Sequence, residues 1–270
     1  MSTSSRAALA LTRASWRTAK SYRVSFVVSF VSLLVTIIPV YFVASALQPF
    51  MASIIAEEAR EYFGFVLLGT VLLTMVSTSL TSFAASVSGG LSSGFFEALL
   101  ATPTPLPALL IGQTGYAFVW AIGRLILLMT AGLLLGVEVH WARLPEALLL
   151  FGLMVAAYAG IGLLAAAFVV SFRTNAMVPQ AVLVLSTVLG GVYFPTSVLP
   201  PAVAPMAEWI PLTPGLRALR QTLLLGYPLG ATGSDLFRLM AAAAVWVLAG
   251  VVVLRWSFAY ARRAGSLAQY

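Results

Sequence analysis

Few side chains in this sequence can do covalent chemistry. There is no cysteine and only one histidine, His140, which excludes disulfides, thiolate metal sites, cysteine nucleophiles and a histidine-built metal centre. The one lysine, Lys20, follows no glycine-rich run, so there is no phosphate-binding loop and any ATP must bind another polypeptide. Three groups of residues remain. Arg124 lies in the middle of an apolar run, and an intramembrane arginine costs at least ~2.5–3.5 kcal/mol. Thr70, Thr74, Ser77, Thr81 and Ser88 repeat at helical spacing in another run. Ser92 to Pro105 is a short interrupted stretch between two long apolar runs, with Glu97 as its only charge.

Each group has a plain reading and a sharper one. No carboxylate matches the depth of Arg124, so it bonds backbone or hydroxyl oxygens, snorkels, or meets an anionic headgroup; an interior structural arginine is the simpler outcome. The hydroxyl stripe either packs helices, which is preferred, or walls a conduit. Gly94 to Ala101 reads as a short amphipathic helix, with Glu97 in its first turn where the helix dipole favours a carboxylate. Pro103 ends it, because the residue before a proline is pushed out of the α region. Phe95, Phe96, Leu99 and Leu100 then form an apolar surface that either lies in the headgroup layer or docks on a partner protein.

The elements that position these residues are membrane spans. Of 270 residues, 61% are hydrophobic and 9% charged, against about 25% charged in soluble domains. Six apolar runs approach the ~20 residues a crossing helix needs: roughly Val24–Leu47, Tyr62–Ser86, Leu109–Gly136, Pro145–Phe172, Ala176–Phe194 and Leu236–Ala261. The fold expected is all-α integral membrane, one membrane domain over 1–270. Residues 1–23 form a basic amphipathic helix in the inner headgroup layer, with Arg6, Arg13, Arg17 and Lys20 on one face. Residues 24–261 are the six-span bundle and 262–270 a basic tail. The run Val24–Leu47 is far longer than the ~7–15 residues of a signal-peptide core. Gly152, Ala156 and Gly160 offer a ridge of small residues for close helix contact.

The net charge of +7 reflects topology, with no nucleic acid implied. With both termini inside, one face holds Arg6, Arg13, Arg17, Lys20, Arg23, Arg173, Arg255, Arg262 and Arg263 against Glu97 alone. The other mixes Arg60, Arg143, Arg217, Arg220 and Arg238 with seven acids, and that basic asymmetry sets the orientation. After the fifth span, Pro195, Pro200, Pro201, Pro205, Pro211 and Pro214 divide an apolar stretch into Val198–Ile210 and Gly215–Leu225. Each is about half a crossing, which fits two re-entrant half-helices dipping in from outside. Glu208, Arg217 and Arg220 are expected near the outer surface. They serve there as gate or headgroup contacts or, more simply, as solvated rim charges.

The stretch Gly94-Phe95-Phe96-Glu97-Ala98-Leu99-Leu100-Ala101-Thr102-Pro103 is similar to the cytoplasmic motif of type-2 ATP-binding-cassette (ABC) exporter permeases, where a Glu is followed by two leucines and Thr-Pro. A second set resembles the family's signature between its fifth and sixth spans: Gly191-Val192-Tyr193-Phe194-Pro195, Leu199-Pro200, Ile210-Pro211-Leu212-Thr213-Pro214 and Leu216-Arg217-Ala218-Leu219-Arg220. The likeness covers nearly the whole chain. It implies a permease that works as a homodimer or pseudo-dimer in the bacterial inner membrane, paired with two nucleotide-binding ATPase subunits that hold the ATP and Mg. Gly94–Thr102 would be the coupling helix, with Glu97 at the matching position. The first, second and fifth spans would line the path between the two copies. Tyr22-Arg23 looks like the drug, antibiotic or lipid branch, because the Arg-Tyr-Arg opening of polysaccharide exporters is absent; a glycan exporter of the same family is the alternative.

Two other classes fit less well. An ion-coupled secondary transporter calls for intramembrane Asp or Glu, and the spans have none. A membrane enzyme needs converging acid, base or metal ligands, which one His and one Asp do not supply. The importer motif, Glu-Ala-Ala followed by Gly, is not completed after Glu97-Ala98.

Overall fold

The structure, a computed structural model, describes residues 23–92, 106–172 and 177–263. Eight α-helices follow in order among the described residues: α1 Arg23–Ile55, α2 Tyr62–Ser92, α3 Leu106–Leu134, α4 Leu144–Phe172, α5 Met177–Leu189, α6 Ala204–Ala207, α7 Leu212–Leu223 and α8 Gly233–Arg263. Among the described residues there is no strand. Residues 1–22, 93–105, 173–176 and 264–270 lie outside the described set, and with them nearly all of the expected N-terminal amphipathic helix, the end of the tail and all of Gly94 to Pro103; the tail's Arg262 and Arg263 instead continue helix α8.

Among the described residues five helices are long and apolar enough to cross a membrane: stretches Ile37–Ile55, Tyr62–Gly90, Gly112–Leu134, Trp141–Phe172 and Leu229–Ala261. Of the remaining expected span, Ala176–Phe194, the described part is shorter. Its helix α5 has 13 residues, about 20 Å at 1.5 Å per residue, against a hydrocarbon core of about 30 Å. The chain breaks there for a local reason. Gly190 still donates its N–H to Ser186, but Gly191 takes φ +76°, the left-handed region that glycine adopts without strain. Pro195 follows in extended geometry.

The two expected half-helices also differ. Only the second forms, as α7. The first is a strap containing one 3-10 turn, Thr196–Val198, and the single turn α6. Pro200, Pro201 and Pro205 lack the N–H that would continue a helix. Pro211 caps α7, and Pro214 sits in its first turn, where a missing N–H costs nothing. Nearly all of α7 is buried, wedged against Met154 of α4 and Leu239 of α8 at Gly215.

Helices α2 and α4 form the centre, while α1, α3 and α8 cover them and face outward. Glycines set the closest seams. A Cβ on Gly160 would strike the backbone of Trp246 and Val247 in α8, Gly250 meets the carbonyl of Gly160, and Gly162 sits on the Ser79 carbonyl of α2. Of the two glycines in the expected small-residue ridge, Gly160 is in such a seam and Gly152 faces open space. The lone histidine is structural: its backbone N–H donates to the Leu223 carbonyl at 2.9 Å, and its ring covers Gly226.

Candidate functional site

Helix α2 is buried along most of its surface by Phe65, Leu68, Leu72, Met75 and Leu80. Its remaining face carries Thr70, Leu73, Thr74, Ser77, Thr78 and Thr81, all half-buried, then exposed Ala85. Hydroxyls therefore line the open side of an otherwise enclosed helix. Thr70, Thr74, Thr78 and Thr81 donate to the carbonyls of Val66, Thr70, Thr74 and Ser77, at 2.8–3.0 Å. Back-bonding to residue i−4 satisfies the donor inside the helix itself, which makes threonine tolerable at membrane depth. It leaves an outward row of hydroxyl oxygens with acceptor capacity.

Arg124 stands on α3 beside this helix. Packing between α2 and α3 is antiparallel: Gly132 sits on Leu67, the Phe118 and Phe83 rings are 6.2 Å apart, and the Ser86 hydroxyl donates to Gln113. That register puts Arg124 at the depth of Met75 to Ser77. Its Cζ lies 5.6 Å from the centre of the Trp120 ring, a cation–π contact. Its Nε is buried with no hydrogen-bond partner.

The second cluster closes the bundle end that holds the loops around residues 56–61, 135–143 and 190–232. Arg220, expected at a solvated rim or as a gate, is 1% exposed. Its Nε and Nη2 donate to the Phe65 carbonyl at 3.2 and 2.9 Å. Its Nη1 donates to Glu58 and to the Gly191 carbonyl, both at 2.9 Å, and Nη2 also to the Val192 carbonyl at 3.0 Å. All five guanidinium donors are thereby used. Burial draws the group down to about 10 against the pull of the Glu58 carboxylate, so it stays charged at neutral pH. Rim position was a poor guide because α7 folds into the bundle and takes this loop residue with it.

Arg217, one turn earlier, is half-buried. It pairs with Glu208 at 2.5 Å and Asp235 at 3.4 Å, and Glu208 also binds Arg238 at 2.5 Å. Glu208 thus ties the strap to α7 and α8. Pro195 and Pro211 are buried at the strap's ends, and Pro200 is exposed between them. Sequence reasoning missed Glu58, the partner of Arg220; one acid among Glu57, Glu58 and Glu61 carries no local signal of burial. It also missed Gly69, where a Cβ would lie 2.5 Å from the Val192 carbonyl and 3.0 Å from Arg220 Nη2.

The coupling segment Gly94, Phe95, Phe96, Glu97, Leu99, Leu100, Thr102 and Pro103 lies outside the described residues. Among the described residues no group of His, Asp or Glu side chains could hold a metal ion.

Taken together, the helices define a multi-pass α-helical membrane protein whose polar features are a hydroxyl face at membrane depth and a salt-bridged plug at one end. The chain belongs to the ABC-2 type transporter family, whose model matches residues 6–224. It is accordingly a membrane subunit of an ABC transporter. No curated protein sequence matches it.

Proposed function

We propose that this chain is the transmembrane subunit of an ATP-driven exporter that moves a hydrophobic or amphipathic molecule, such as a drug, antibiotic, lipid or glycolipid, out of the cytoplasm or inner leaflet. Two copies of a separate nucleotide-binding subunit supply the energy, and two copies of this chain form the path. Both termini lie in the cytoplasm of a bacterial cell. The observation that carries the reading is the hydroxyl face of α2, open at membrane depth on a helix otherwise enclosed. Polar side chains at that depth belong against a partner helix or a watery path, and a second copy facing the first provides both.

Coupling follows from the sequence between α2 and α3. Phe95, Phe96, Leu99 and Leu100 seat the Gly94–Thr102 helix in a groove of the ATPase, and Glu97 fixes its orientation. ATP binding shifts that helix, and the motion passes into α2 and α3, to which it is directly joined. The two states of the ATPase must differ in how tightly they hold it for work to be done.

The test is co-expression with the nucleotide-binding protein of the adjacent reading frame, followed by ATPase and transport assays of the purified pair in lipid. Phe96→Ala and Glu97→Ala each lower coupled transport by about tenfold, a loss of ~1.4 kcal/mol in docking, while the permease keeps its abundance. Transport and assembly unchanged in both variants would end the docking role.

A further inference from the structure

We infer that Arg124 is the station at which the transported molecule's anionic group, a phosphate or carboxylate on an apolar tail, is held midway across the bundle. The inference rests on the exporter reading and adds a substrate class to it.

Four observations carry it. Arg124 is twelve residues from Gly112 and ten from Leu134, the ends of the apolar stretch of α3, about 15–18 Å along the helix from either end. Reaching a headgroup layer by extending its own side chain is therefore a long way. It also points away from lipid: Ile126, 58% exposed on the outward face with Ile122 and Val119, is on the opposite side of the helix at 100° per residue. No anion among the described residues answers it. The described acids Glu57, Glu58, Glu61, Glu138, Glu146, Glu208 and Asp235 all lie in loops or first turns at the other bundle end. Finally, its bonding is incomplete. Its Nε is sealed from solvent and unpartnered, and the ring of Trp120 covers one face, while the residue as a whole is only half-buried.

The structural reading required backbone or hydroxyl acceptors for this guanidinium, and the structure gives it none among the described residues. A planar fork of donors in a low-dielectric setting selects phosphate or carboxylate, which accept two bonds at once. At the same depth the open face of α2 presents Ser77 and the back-bonded threonines, whose oxygens suit the hydroxyl or ester parts of a polar head.

The test uses the purified permease alone in a neutral maltoside, with binding read by native mass spectrometry. Dodecyl phosphate, dodecylphosphocholine and inorganic phosphate are the probes. The wild type is expected to bind dodecyl phosphate at least ~10-fold more tightly than the phosphocholine of the same chain length, and inorganic phosphate weakly, since the tail is part of the ligand. Arg124→Gln abolishes the preference and Arg124→Lys keeps part of it, with helix content and melting temperature unchanged. A wild type that binds both amphiphiles equally, or an Arg124→Gln protein that keeps the preference, overturns the inference. The wild-type comparison needs no variant to fold. Because no ATPase is present, a failure here leaves the coupling test standing, and failed coupling leaves an anion preference intact.

Discussion

Arg220 shows how much one side chain can hold. It joins the loop before α2 through Glu58, the first turn of α2 through the Phe65 carbonyl, and the broken end of α5 through the carbonyls of Gly191 and Val192. The guanidinium also lies over the Phe65 ring, 3.2 Å from its centre. Buried backbone carbonyls outside a helix must find donors, and here a single arginine supplies them for the two residues, Gly191 and Val192, just beyond α5. Removing it leaves Glu58 charged and buried with those carbonyls unpaired, a penalty of about 3–5 kcal/mol. Arg220→Leu therefore lowers the melting temperature of the purified permease steeply. Arg220→Lys recovers little, because three rotatable donors cannot reproduce a five-donor fork. Glu58→Leu combined with Arg220→Leu costs less than the two single changes summed, since neither charge is stranded; a double-mutant cycle on thermal unfolding reads this directly. None of this was visible in the sequence. A charge tally by loop assigns Arg220 to a surface, and only the inward fold of α7 reverses that.

At the scale of the helices, glycine decides how closely elements approach. Gly160 and Gly250 let α4 and α8 touch backbone to backbone, and Gly162 does the same between α4 and α2. A Leu at either Gly160 or Gly250 has nowhere to go, so overpacking costs about 1–3 kcal/mol and reduces the folded fraction on gel filtration. Gly152→Ala is the matched control. Nothing lies within 4 Å of its added Cβ, and replacing glycine inside a helix gains about 0.8–1.0 kcal/mol of propensity, so its melting temperature rises slightly. The spacing of small residues in α4 announced close packing but not which glycine makes it. Most helix positions were legible, because long apolar runs ended by charge or proline leave little choice: α4 starts one residue before its expected first residue and α3 stops two before its expected end, whereas α1 runs eight residues past its expected end at Leu47, through Pro49, to Ile55. The segment from Pro195 to Pro211 was not, since dense proline says where a helix cannot run without saying what the chain does instead.

For the whole molecule, the unequal burial of the spans is the informative feature. The apolar stretch of α2 is 72% buried and that of α4 61%, against 11–17% in α1, α3 and α8. Outward faces of the latter are apolar, with Val245, Leu248 and Val252 exposed on α8, as lipid contact requires. The open face of α2 has hydroxyls where a lipid-facing helix would carry leucine. The sequence displayed this stripe and favoured packing over a conduit; back-bonding explains how the threonines are tolerated, but not why this face is left uncovered. Since the chain has no cysteine, single introduced thiols read the answer without background. If the face lines a path between two copies, Ser77→Cys and Thr81→Cys react with a charged, membrane-impermeant thiol reagent in membranes, because only water ionises and delivers such chemistry. Leu248→Cys and Val252→Cys, more exposed than either but facing lipid, stay inert under the same conditions. Adding ATP with the partner subunit changes the rate at Ser77→Cys and not at Val252→Cys, since only the path alternates between states. Equal inertness at all four positions, with and without ATP, means that the α2 face is a dry packing seam and that the route for the cargo lies elsewhere in the assembly.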